Sequence, residues 1–176
     1  MTSATNEIWP GELAKHRNAA AEYAMTAAAV GEGRWLKPIA DGKWSPAEIT
    51  EHLRLVYEGS LRELNRGSGM RLRTNWLMQR FLRFAFLKKI LKTGQFPKGA
   101  KAPSEVKPTV TNTDQTAAIA QFSTLAGEFE TLLEKRKGDA DCGLSHHLFG
   151  KLSPLEGLQL VTTHMRHHHR QLAAGS

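Results

Sequence analysis

Six of the eight histidines in this 176-residue chain lie beyond residue 145, and four of them fall in the run His164-Met165-Arg166-His167-His168-His169. On a helix, His164 and His168 are four residues apart, about 40° around the axis and one turn above each other. That spacing lets two imidazoles address one metal ion. His169 lies about 140° from His164 and cannot share the ion, whereas His167, about 60° away, is a weaker candidate. A third imidazole, His52, sits between Ile49 and Val56 on the flank of another apolar stripe and leans toward the interior. Three neutral histidines would leave a divalent cation with open positions, which is the pattern of a catalytic site; structural zinc is usually closed by four protein ligands. Such an ion can polarise a carbonyl or lower the pKa of a bound water or thiol. The competing reading is a solvated polar face, or histidines paired with nearby carboxylates.

The elements that must position these rings are helices. The first is expected from about Asn6 to Val30, ending at Gly31 and Gly33. A second opens at Ser45-Pro46-Ala47-Glu48, with serine as N-cap, proline at the first helical position and glutamate three residues past the cap. A helical stretch over about Thr74–Lys92 follows, then a loop rich in glycine and proline. A fourth helix is expected over about Thr113–Lys137, with Ile119, Phe122, Leu125 and Phe129 on one face. The last opens at Ser153-Pro154-Leu155-Glu156 and runs through Leu172. Strand signals are nearly absent. Four long amphipathic helices and one shorter inserted helix predict an all-α four-helix bundle. At 1.5 Å per residue, His52 lies roughly 10 Å beyond Ser45, and the midpoint of His164 and His168 roughly 20 Å beyond Ser153. The three rings come level only if these two helices run antiparallel.

The length fits one domain, residues 1–176. Cys142 is the single cysteine, so neither an internal disulfide nor a cysteine-based zinc site is expected. No signal peptide and no membrane-spanning run is read, which points to a cytoplasmic protein. The net charge of +7 is concentrated: ten basic residues and no acidic one lie between Arg66 and Lys101. Within that stretch, Trp76 to Leu91 is both cationic and unusually apolar, so much of it is expected to be buried. Packing against the bundle, as a lid over the site or a dimer contact, is favoured. An anionic membrane surface ranks second and nucleic acid third. Among weaker residues, His147 could face the metal cavity, although a loop histidine without chemistry is the simpler reading. His16 reads as a surface or satisfied residue. Glu48 is expected to be occupied by its capping box, and a catalytic Cys142 would need a depressed pKa.

The segment Trp44-Ser45-Pro46-Ala47-Glu48-Ile49 leading to His52, together with His164-x-x-x-His168 flanked by His167 and Gln171, resembles the DinB (YfiT-like) superfamily of metalloenzymes. The stretch from His147 to Pro154 is similar to the same family, and the order of elements matches over most of the chain. The resemblance implies an up-down-down-up bundle. Bundle helices two and three would then be parallel and joined by a long crossover, here about residues 66–112. It also implies a divalent metal, nickel or zinc, on His52, His164 and His168. Characterised relatives include thiol-dependent S-transferases and a mycothiol-dependent isomerase. The expectation is therefore a metal-dependent transferase or hydrolase acting on a small molecule, with a low-molecular-weight thiol as a candidate cofactor and a homodimer as the assembly. A non-catalytic metal-binding stress-response protein, or a surface-binding module using the basic insert, are the alternatives. The long basic insert departs from the commonest family pattern.

Overall fold

The fold is a bundle of four long helices: α1 (Ser3–Ala28), α3 (Pro46–Leu64), α6 (Gln115–Arg136) and α7 (Pro154–Gly175). The one-turn α2 (Glu32–Trp35) leads from α1 towards α3. The connector between α3 and α6 carries α4 (Trp76–Leu82) and α5 (Lys88–Thr93). The computed structural model describes residues 3–97, 102–109 and 112–175. Residues 98–101 of the connector, which include Lys98, Gly99 and Lys101 of the basic insert, lie outside the described residues.

Three of the bundle helices, α3, α6 and α7, start where the sequence provides a cap. Ser45 Oγ accepts from the Glu48 backbone N–H at 3.2 Å while the Glu48 carboxylate accepts from the Ser45 N–H at 2.7 Å. Glu48 is thus occupied, as its spacing predicted. Ser153 and Glu156 repeat the arrangement at the start of α7. Asp114 caps α6 through the Ala117 N–H at 2.9 Å. These side chains satisfy backbone donors that the first helical turn leaves without partners.

The apolar stripes then meet in one core. Ile49, Leu53, Tyr57 and Leu64 of α3 face Phe122, Ala126, Phe129 and Leu133 of α6. Leu158, Met165 and Leu172 of α7 are buried at seven-residue steps. Cross-helix contacts fix the running directions. Tyr23 meets Thr50 and His16 meets Tyr57, so α1 and α3 are antiparallel. Trp9 bonds Glu134 while Gln115 reaches the Ala27 carbonyl, so α1 and α6 are antiparallel as well. His52 sits by His168, and Tyr57 by Met165, so α3 and α7 also run in opposite senses. That last pairing is the one the depth of the three histidines required. In the bundle centre, His16 is fully buried and satisfied: its Nδ1–H donates to Glu130 at 2.7 Å and its Nε2 meets the Tyr57 hydroxyl at 2.8 Å.

Three features depart from the sequence reading. Although strand signals are nearly absent, the stretch between α6 and α7 contains a short antiparallel hairpin, β1 (Leu144–His146) with β2 (Gly150–Leu152), pairing Leu144 with Leu152. Strands of three residues are too short to show an alternating pattern. They are held by their surroundings: Ser145 bonds the Glu63 carboxylate through its N–H at 2.8 Å and its hydroxyl at 2.7 Å. Gly150, at φ 72°, adopts the left-handed turn and lets the Gln79 side chain lie against its backbone.

The expected helix over 74–92 is broken by a π-helical turn at Arg83–Leu87. The extra residue shifts the phase of the helix, so that Leu87 and Ile90 pack with Phe149, Leu152 and Leu160 in a second small core. The segment is also less buried than its apolarity implied. Only one side packs on the bundle, fastened by Arg83, which pairs with Glu156 at 2.6 Å and donates to the Lys151 carbonyl at 3.0 Å.

Candidate metal centre

His52 projects from the second turn of α3, and His164 and His168 from successive turns of the C-terminal half of α7. The three Nε2 atoms converge. His164 Nε2 lies 3.1 Å from His52 Nε2 and 3.0 Å from His168 Nε2, and one ligand atom from each residue lies within 4.8 Å of the others. The ring centroids are 4.6 to 5.0 Å apart. His52 and His168 are buried, while His164 keeps part of its surface exposed.

The outer nitrogens decide which tautomers are present. His52 Nδ1 is 2.6 Å from the Val106 carbonyl oxygen, which can only accept, so the proton sits on Nδ1. His168 Nδ1 likewise donates to Gln171 Oε1 at 2.8 Å. Both Nε2 atoms therefore present lone pairs to the point where the rings meet. A single proton on His164 Nε2 could point at only one of them. A cation would accept all three, and this donor set suits a divalent ion that prefers imidazole. Tetrahedral coordination at 2.0–2.1 Å places nitrogens about 3.3 Å apart, within a few tenths of an ångström of the two distances from His164 Nε2 to its neighbours.

Burial favours the neutral rings that coordination requires. It pushes His52 down to about 4, partly offset by the Val106 carbonyl. His164 and His168 are held well below the ordinary imidazole range, first by burial and then by the neighbouring rings. Apolar walls enclose the group. Trp44 lies 4.9 Å from His52 and stacks at 6.2 Å and 21° on His168. Phe96, from the connector, lies 5.6 Å from His164 and 5.3 Å from His167.

His167, the weaker candidate, turns to the Gln171 amide, which donates to its Nε2 at 3.0 Å. His169 bonds Thr26 on α1 at 2.9 Å and is not part of the group. His147 is half-buried beside His146, at 4.4 Å between ring centroids, and is not among the converging ligands. Cys142 is buried with its thiol pKa raised, the opposite of an activated nucleophile. Sequence reasoning missed the Val106 carbonyl and Phe96. A backbone acceptor leaves no side-chain signature, and Phe96 comes from a loop whose path the sequence does not fix.

No helix among the described residues is long and apolar enough to cross a membrane. No curated protein and no solved structure matches the chain. A family profile matches residues 13–172, a span holding all three converging histidines and their partners. By that match, this chain belongs to the DinB superfamily.

Proposed function

We propose that this protein is a metal-dependent enzyme that holds nickel or zinc on His52, His164 and His168 and acts on a small molecule as a thiol-dependent S-transferase or a hydrolase. The observation that carries this reading is the convergence of three Nε2 lone pairs, two of them oriented by protons fixed on Nδ1. When bound, the ion would supply Lewis acidity and lower the pKa of a thiol or water beside it. The chain's own part is to keep His52 and His168 neutral by burial and to fix their ring orientation through Val106 and Gln171. Trp44 and Phe96 keep water away and offer apolar surface to a substrate. His167 is tied to Gln171 rather than aimed at the cluster. That arrangement supports an open position over the closed four-ligand shell of a structural ion.

Metal content of the purified, untagged chain tests the reading. His52→Ala and His164→Ala should each abolish stoichiometric nickel or zinc binding, and His169→Ala should retain it. Unchanged metal content in both ligand variants would end the proposal.

A further inference from the structure

Seven of the ten large apolar side chains that stand exposed among the described residues fall between Leu72 and Phe86. They form a face rather than a scatter. Trp76 is 71% exposed, and Leu77, Phe81 and Phe84 follow at i, i+4 and i+7 along the outer side of α4 and the π-turn. Lys88 continues the same stripe, its ammonium 5.4 Å from the Phe84 ring centre. Arg80, Lys89 and Lys92 are also exposed, and none of these four cations forms an ion pair among the described residues. The opposite side is already spent on the bundle through Leu87, Ile90 and the Arg83–Glu156 pair. The connector is therefore anchored by one side and presents an aromatic, cationic face to the outside. Contiguous apolar surface of this kind marks an interaction site.

We propose that this face docks the protein on an anionic lipid bilayer, with Trp76, Leu77, Phe81 and Phe84 entering the headgroup region and Arg80, Lys88, Lys89 and Lys92 meeting lipid phosphates. The charge selects this occupant. A second copy meeting the same patch across a two-fold axis would bring cations against cations, with no acidic residue between Arg66 and Lys101 to offset them. Nucleic acid would match the charge but would leave Leu77, Met78 and Phe84 in water. A bilayer satisfies both halves, with aromatic rings at the interface and long basic side chains reaching up to the headgroups. The proposal is independent of the metal centre, whose ligands lie on α3 and α7.

Co-sedimentation of the full chain with phosphatidylcholine vesicles, with and without a one-third share of phosphatidylglycerol, tests it. At about 0.1 M salt the anionic vesicles should capture at least about tenfold more protein, and about 1 M salt should release most of it. Binding should blue-shift tryptophan emission, and Trp76→Phe should remove most of that shift, since Trp9 and Trp35 are buried and Trp44 packs on His52 and His168 away from this face. The variant Phe81→Ser/Phe84→Ser alters only exposed positions. It should keep its helical circular dichroism and lose vesicle binding about tenfold or more. Four results would overturn the proposal: equal or no binding to the two vesicle types, full binding by the folded double variant, a dimer that buries Trp76 without lipid, or duplex DNA competing the vesicles away in both wild type and double variant.

Discussion

Acidification of the metal-free protein should unfold it earlier than its carboxylates alone would dictate. Burial pushes His52 down to about 4 and His146 to about 3. In the unfolded chain both rings titrate near 6.5. Above that value neither state is protonated and the rings contribute nothing to the pH dependence. As pH falls below it, the unfolded chain takes up protons that the native rings refuse. Stability is therefore lost from about pH 6.5 downward until the folded pKa is reached. Between pH 7.5 and pH 5 this amounts to about 2 kcal/mol for each ring, or about 4 kcal/mol for the two. His164 and His168 move in the same direction and add to the loss. Against a total of about 5–15 kcal/mol for a domain, that is a large fraction. The carboxylates do not confuse the window. Glu130 and Glu156 are held low in the native state, so their contribution is present above the ordinary carboxylate range and lost only below about pH 4.5. Urea unfolding of chelator-treated protein at pH 7.5 and pH 5, extrapolated to water, measures the difference. A loss below about 1 kcal/mol would show that the rings are not buried as neutral species.

Two further outcomes follow from the same site. At pH 6, three ordinary imidazoles would release more than about two protons on binding zinc. Here, because the rings are already neutral, calorimetry in two buffers of different ionisation enthalpy should find release near zero, and release of two protons would contradict the native pKa values. Gln171→Leu removes the acceptor for His168 Nδ1 and should weaken zinc or nickel binding about 10–100-fold, with Gln171→Glu restoring most of it. Equal affinity in the leucine variant would show that Gln171 does not position the ring.

The bundle was legible because its signals are local and redundant. Ser45 and Ser153 each sit three residues before a glutamate, and Ile49, Leu53 and Tyr57 recur at the helical period. The histidine cluster was legible for a related reason: the depth of His52 and the four-residue step from His164 to His168 follow from helix geometry alone. What escaped depends on tertiary placement. Nothing in Leu144-Ser145-His146 marks it as a strand, because Glu63, distant in sequence, fixes it. The π-turn at Arg83–Leu87 reflects a compromise between two packing phases that no single window of sequence reveals. The exposure of Phe81 and Phe84 runs against their chemistry, so a reading that buries apolar residues was bound to place them inside. Val106 takes part through its carbonyl, which every residue possesses.

Val106 lies on the strap that also carries the aromatic outer face, and its carbonyl is what holds His52 Nδ1. One piece of chain thus touches two places with different chemistry. Displacing Val106 would leave the buried His52 Nδ1–H without its acceptor and free that imidazole to rotate. The connector thus serves the three rings at two separate points, Phe96 beside His164 and the Val106 carbonyl on His52 Nδ1, while its aromatic face is turned the other way.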